Sequence, residues 1–221
     1  MGRPVEIEFA MDIKEEKNAQ NQASPRAEFY LLQIRPIVDN KEVVEEDLSL
    51  TPVSDTIISA QNVLGNGIIS DVTDVVYVKS EGFNASNNTQ TAYDVERINQ
   101  QLTEADRGYV LVGPGRWGSS DSWLGIPVKW PHISGARLIV ECGLEGYRID
   151  PSQGTHFFQN LTSFGVGYFT INPYRSDGYF DEAYLNTLPA LNETATVRHV
   201  RLPHPIIIKM DGRRSRGVVM K

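Results

Sequence analysis

At 221 residues, 40% of them hydrophobic, the chain can bury one large core or two small ones without a disulfide or metal to hold it. Its one cysteine, Cys142, excludes an intramolecular disulfide and a thiolate zinc cluster, which favours a reducing, cytoplasmic setting. The net charge of -7 argues against a general nucleic-acid binder, and with no signal-peptide order and no run near the roughly 20 apolar residues of a bilayer span, no membrane role is expected.

In chain order, "RPVEIEFAMDI" alternates as a strand does and "AEFYLLQIRPIV" reads as a second, with the polar "KEEKNAQNQASPR" between them predicted as a long hairpin loop. A hairpin alone is marginal in water, so residues 1–38 are expected to be the remnant of a larger sheet. Residues 39–56, acidic and polar, read as a linker, and 57–221 as a second domain. There "TIISAQNVLGNGIISDVTDVVYVKSEGF" is strand-rich, with a turn marked by Gly65 and Gly67. In "TAYDVERINQQLTEAD", Val95, Ile98 and Leu102 recur at helical spacing behind a potential cap, Thr91.

"RGYVLVGPGRWG" is a strand running into glycines, and "GARLIVECG" is a short buried-type strand. "HFFQNLTSF" puts Phe157, Phe158, Leu161 and Phe164 on one helical face ahead of the strand "VGYFTI". Residues 136–171 thus read strand, loop, helix, strand, the order of a βαβ unit with its right-handed crossover. The remainder offers a short helix at "FDEAYLNTL" and strands near "TVRHVRL" and "PIIIKM". The expected class is mixed α+β, an α/β domain preceded by an antiparallel hairpin.

Three constellations could carry chemistry. Period-2 alternation puts Glu6 and Glu8 on one strand face, and Gln33 and Arg35 on one face of the next. If Glu8 meets Gln33 across the pair, they offer oxygen ligands suited to magnesium, with Arg35 beside them for phosphate. A plain solvent-facing charged side is the other reading. The second is His156, between "SQGT" and an apolar helix. An imidazole with a pKa of about 6.5 is available as a neutral phosphoryl acceptor, and free N–H groups at a helix start stabilise phosphate. Ser152 and Thr155 could cap that helix or donate to the phosphate; alternatively His156 bonds locally beside an aromatic core.

The third is "VLVGPGRWGSSDSWLGIPVKW". Gly113, Gly115 and Gly118 match a dinucleotide fingerprint, with Glu141 ending a later strand, but Gly125 and Pro127 break the helix it requires. The better reading is a loop whose amides form an anion nest from Gly113 and Gly115, with Arg116 as the charge partner. Trp117, Trp123 and Trp130 either pack it or form a docking face.

"PVEIEFAMD" followed by "FYLLQIRPIV" resembles the closing hairpin of the ATP-grasp nucleotide-binding domain of the phosphoenolpyruvate synthase and pyruvate phosphate dikinase family, over about 40 residues. The resemblance implies that Glu8 and Gln33 serve magnesium and nucleotide, and that Arg35 lies near the transferring phosphates. The nucleotide-cradling strands and lysines that precede this hairpin in the family are absent. "SQGTHFFQNLTSFGVGYFTI" is similar in layout to the family's phosphohistidine segment, although Thr155 touches His156 directly and phenylalanines follow it. This implies a swivelling β/β/α-type domain and ATP- and Mg2+-dependent phosphoryl transfer through histidine towards pyruvate. The rest of the ATP-grasp domain would be its partner in a longer parent chain, the fragment alone being inactive. Two other classes stay open: a non-catalytic interaction domain that has kept the fold, and a dinucleotide-binding domain.

Overall fold

The computed structural model describes residues 5–17, 23–36, 44–147, 161 and 164–221. The chain divides into two compact units, residues 1–39 and 40–221. The first is an antiparallel hairpin of β1 (Val5–Lys17) and β2 (Ala23–Pro36). Both strands run further than their apolar alternation predicts, into the stretch expected to be a loop. A two-stranded ribbon exposed on both faces gains its ladder from backbone groups, so polar residues extend it as well as apolar ones. One face carries Ile7, Phe9, Met11 and Ile13 of β1 with Phe29, Leu31 and Ile34 of β2, and all of them are exposed. Phe9 and Phe29 stack across the strands with ring centroids 4.9 Å apart.

The second unit is mixed α+β, built on one large mixed sheet. Four strands run parallel and adjacent, in the order β5 (Asn66–Val78), β6 (Tyr109–Pro114), β9 (Ala136–Cys142) and β10 (Gly167–Ile171). Beyond β5 the sheet continues antiparallel through β13 (Val197–Asp211), β14 (Arg216–Met220) and β3 (Thr56–Ala60). One residue after β3, the strand β4 (Asn62–Leu64) pairs with β10 at the opposite end of the series. The bent segment 56–64 therefore joins the two margins, and the sheet closes on itself. β11 (Tyr179–Phe180) adds to β3, and β12 (Ala190–Glu193) to β13.

Alternation along the parallel strands feeds two cores. Val110 and Val112 of β6 join Val75, Tyr77, Leu138, Val140 and Phe169 in one cluster. Tyr109 and Leu111 face the other way, against Val95, Ile98 and Leu102 of α1 (Asn88–Glu104). Each strand thus has both faces covered, the usual state of parallel strands. The apolar spacing of α1 is the predicted one, but the helix starts three residues earlier than Thr91. Thr91 is buried in its first turn, its hydroxyl donating to Asn87 O at 3.0 Å rather than capping. β13 is one strand where two were expected, because a register shift between Arg201 and Ile206 absorbs Pro203 and Pro205. Within the stretch expected to be linker, Val44 and Leu48 are buried against Val218.

Candidate functional site at the ends of the parallel strands

β5, β6, β9 and β10 all point their carboxyl ends to one margin of the sheet, where open α/β sheets usually hold ligands. A pocket of about 190 Å³ lies there. Val78, Val112, Gly113 and Cys142 come from the strand ends themselves. Leu144 and Glu145 follow β9, Pro173 and Tyr174 follow β10, and Phe180 and Glu182 come from β11 and the start of α2 (Glu182–Thr187).

Glu182 is held in place from the strand side. The Ser80 backbone N–H donates to its Oε1 at 3.0 Å, and the Ser80 hydroxyl donates to its Oε2. α2 is fixed in turn by Asp181, whose carboxylate accepts from Tyr184 N at 3.0 Å and pairs with Lys221 at 2.9 Å. Burial pushes the Cys142 thiol up to about 12, and the negative charge of Glu182 adds to the shift. At neutral pH Cys142 is therefore a protonated, weakly polar lining group, not a nucleophile. The acidic lining groups are the carboxyls of Glu145 and Glu182, and no Lys, Arg or His joins them among the described residues.

The glycine loop borders this pocket. Gly113 must be glycine, because a Cβ there would stand 2.4 Å from Cζ2 of Trp117. Gly115 has a φ of 70° and would bring a Cβ within 2.7 Å of the Tyr147 ring. Three amides that follow Gly115 in this loop are committed within the protein. Arg116 N–H donates to Leu124 O at 3.1 Å and Gly118 N–H to Ile126 O at 2.9 Å. Trp117 N–H donates to Glu141 Oε1 at 3.1 Å.

Glu141 is 3% exposed and also accepts the Tyr168 hydroxyl at 2.6 Å, so its carboxylate ties the loop to the sheet. The residues after Gly118 form turns and then β8 (Gly125–Ile126), which pairs with β7 (Arg116–Trp117). The helix that a dinucleotide fingerprint requires is absent from 118–126. The three tryptophans diverge: Trp117 is buried with its indole N–H on Val140 O, Trp130 stacks on Phe164, and Trp123 is 64% exposed.

In the hairpin, Glu8 lies directly opposite Gln33 and Glu6 opposite Arg35, with a bulge immediately after Glu8. Glu8 and Gln33 are half-buried. Magnesium keeps several waters and takes one or two protein oxygens plus substrate phosphates, so one carboxylate and one amide carbonyl are a sufficient protein share. Among the described residues, no group of three or more His, Cys, Asp or Glu converges on a point. Ser152, Thr155 and His156 lie outside the described residues.

A buried ionic knot, not anticipated from sequence, sits at the opposite margin of the sheet. Asp74 has no exposed surface. Its Oδ2 accepts Arg107 Nε at 2.9 Å and Nη2 at 2.7 Å, and its Oδ1 accepts Arg201 Nε at 3.0 Å and pairs with His199 Nε2 at 2.8 Å. Asn192 Nδ2 reaches His199 Nδ1 at 3.1 Å. A carboxylate only accepts and an amide nitrogen only donates, so the imidazole proton sits on Nε2. Burial alone would raise the Asp74 carboxyl, but the bonds from His199, Arg107, Thr73 and Arg201 outweigh it and hold the group well below the usual carboxylate range.

Ser80, Glu145 and Glu182 were not singled out from sequence, where no local signal marks them, and Cys142 was read there only as a lone cysteine. They converge only because four strands end at one margin. Comparison of the chain with protein-family models, curated proteins and solved structures returned no match.

Proposed function

We propose that the chain joins the closing hairpin of an ATP-grasp domain to a swivelling phosphohistidine-like domain, and that it serves ATP-dependent phosphoryl transfer towards pyruvate. The observation that carries this reading is the hairpin register, with Glu8 opposite Gln33 and Glu6 opposite Arg35. That register is the one the magnesium-and-phosphate reading requires. Glu8 and Gln33 offer oxygens to Mg2+, and Arg35 offers a guanidinium to the phosphates. Bound magnesium would supply charge neutralisation on the nucleotide phosphates.

An unprotonated His156 nitrogen then attacks phosphorus: the P–N bond forms as the P–O bond to the departing nucleotide or phosphate group breaks. In the second half-reaction pyruvate loses a methyl proton to a general base, its enolate oxygen takes the phosphoryl group and the P–N bond breaks. Ser152 and Thr155 donate to the phosphoryl oxygens. The β9-to-β10 connection that carries these residues links parallel strands, as a βαβ crossover does. The reading also assigns a cover to the hairpin's apolar face, where Ile13 is 66% and Phe29 54% exposed, in the remainder of the ATP-grasp domain.

The test is incubation of the full-length protein with magnesium and ATP labelled at the β or γ position. Acid-labile, base-stable label that disappears in His156→Ala supports the reading. No label in the wild type, or equal label in the variant, overturns it. A second reading, a non-catalytic interaction domain, is favoured by the 64% exposure of Trp123 on a loop in which the amides of Arg116, Trp117 and Gly118 are bonded within the protein. It gains if label is absent while Trp123→Ala abolishes binding of a partner protein.

A further inference from the structure

The pocket at the strand ends has a chemical preference that is independent of phosphoryl transfer. Its walls are apolar: Val78, Val112, Leu144 and Phe180 contribute hydrocarbon and aromatic surface. Its formal charge comes from Glu145, which is exposed at the rim, and Glu182, which is half-buried. With no cation among the described lining residues, phosphate or carboxylate would enter against two negative charges. A cation would enter with them. The Glu182 carboxylate is oriented before any ligand arrives, because both of its oxygens are held by Ser80. Preorganisation of this kind reduces the ordering cost of binding.

We propose that this pocket is a binding site for a small organic cation, a primary ammonium on a short apolar body, with its head at Glu182 and Glu145 and its body against Val78, Val112, Leu144 and Phe180. Burial does most to raise the Cys142 thiol, and the Glu182 charge that adds to the shift is the charge that would meet an ammonium group. Ammonium on a four-carbon stem is found both in free amines and in lysine side chains.

The experiment is an amide NMR titration of the whole chain with n-butylammonium and, separately, with Nα-acetyl-lysine amide. Sodium butyrate and inorganic phosphate are the anionic controls. Saturable shifts centred on Gly113, Gly143 and Glu182 with a Kd below about ten millimolar are expected for n-butylammonium, and none for the anions. Glu182→Gln should weaken binding about tenfold or more, and Glu145→Gln, at an exposed position that leaves folding intact, by a smaller factor. If the lysine amide also binds, the source is a protein side chain; if it is excluded, the source is a free amine.

The proposal is overturned if no amine gives saturable shifts at these residues, if butyrate or phosphate binds as well as the amine, or if both glutamine variants keep wild-type affinity. None of these outcomes depends on whether His156 carries phosphate, so the two tests fail separately.

Discussion

Asp74 is fully buried and draws the side chains of Thr73, Arg107, His199 and Arg201 onto one carboxylate. Its replacement by Asn keeps the volume but strands the Arg107 and Arg201 guanidiniums and the His199 N–H against a weaker acceptor, one without charge. A loss of about 3 kcal/mol in unfolding free energy at neutral pH is expected, read from urea denaturation. The pH dependence has a definite sign. A carboxyl held low in the native state contributes in full above its unfolded pKa of about 4, and that contribution is lost as pH falls towards the native value. The gap between wild type and Asp74→Asn should therefore narrow on acidification below about pH 4. A gap that is constant with pH would mean that the network acts through shape alone. Asp74 was not conspicuous in the sequence, where it is one acid in a strand, and its partner His199 is remote along the chain. Only the pairing of β5 with β13 brings the two together.

At the scale of elements, α1 shows how a helix can be legible while its attachment is not. Val95, Ile98 and Leu102 declare its buried face by spacing. Asn99, on the same side, reads from sequence as a polar interruption. In the fold its Oδ1 accepts the Tyr109 hydroxyl at 3.0 Å and the Gly135 N–H at 2.9 Å, while Nδ2 donates to Pro131 O at 3.1 Å. One side chain thus ties α1 to the entries of β6 and β9. Asn99→Leu is isosteric but leaves three groups unpaired, and should destabilise by about 3 kcal/mol in thermal or chemical unfolding. An unchanged midpoint would show that water replaces all three bonds. The strands were legible for the same reason as the helix face, through alternation and glycine punctuation. Their limits were not, because bulges absorb prolines and polar ribbons extend without apolar residues. The pocket was invisible because its lining is scattered from Val78 to Glu182 and is assembled by parallel register.

At the scale of the whole molecule, the buried clusters of the second unit draw, among the described residues, only on Val44 and those after it. Residues 40–221 produced alone should then unfold at the same temperature as the full chain, within the roughly 2–4 °C that corresponds to 1 kcal/mol for a domain of this size. A large drop would reveal that the hairpin contributes to that core.

Closure of the sheet by the bent segment 56–64 has a consequence in time. Residues 56–60 wait for β14, at 216–220, and residues 62–64 wait for β10, at 168–170, before either half can complete its ladder. On the ribosome the early segment emerges long before its second partner exists. At roughly 5–20 residues per second, the interval between residue 64 and residue 220 lasts on the order of ten seconds. Through that interval β3 is a nascent strand without its β14 neighbour, and Ile57 and Ile58, fully buried in the finished domain, are the residues a chaperone would find there first.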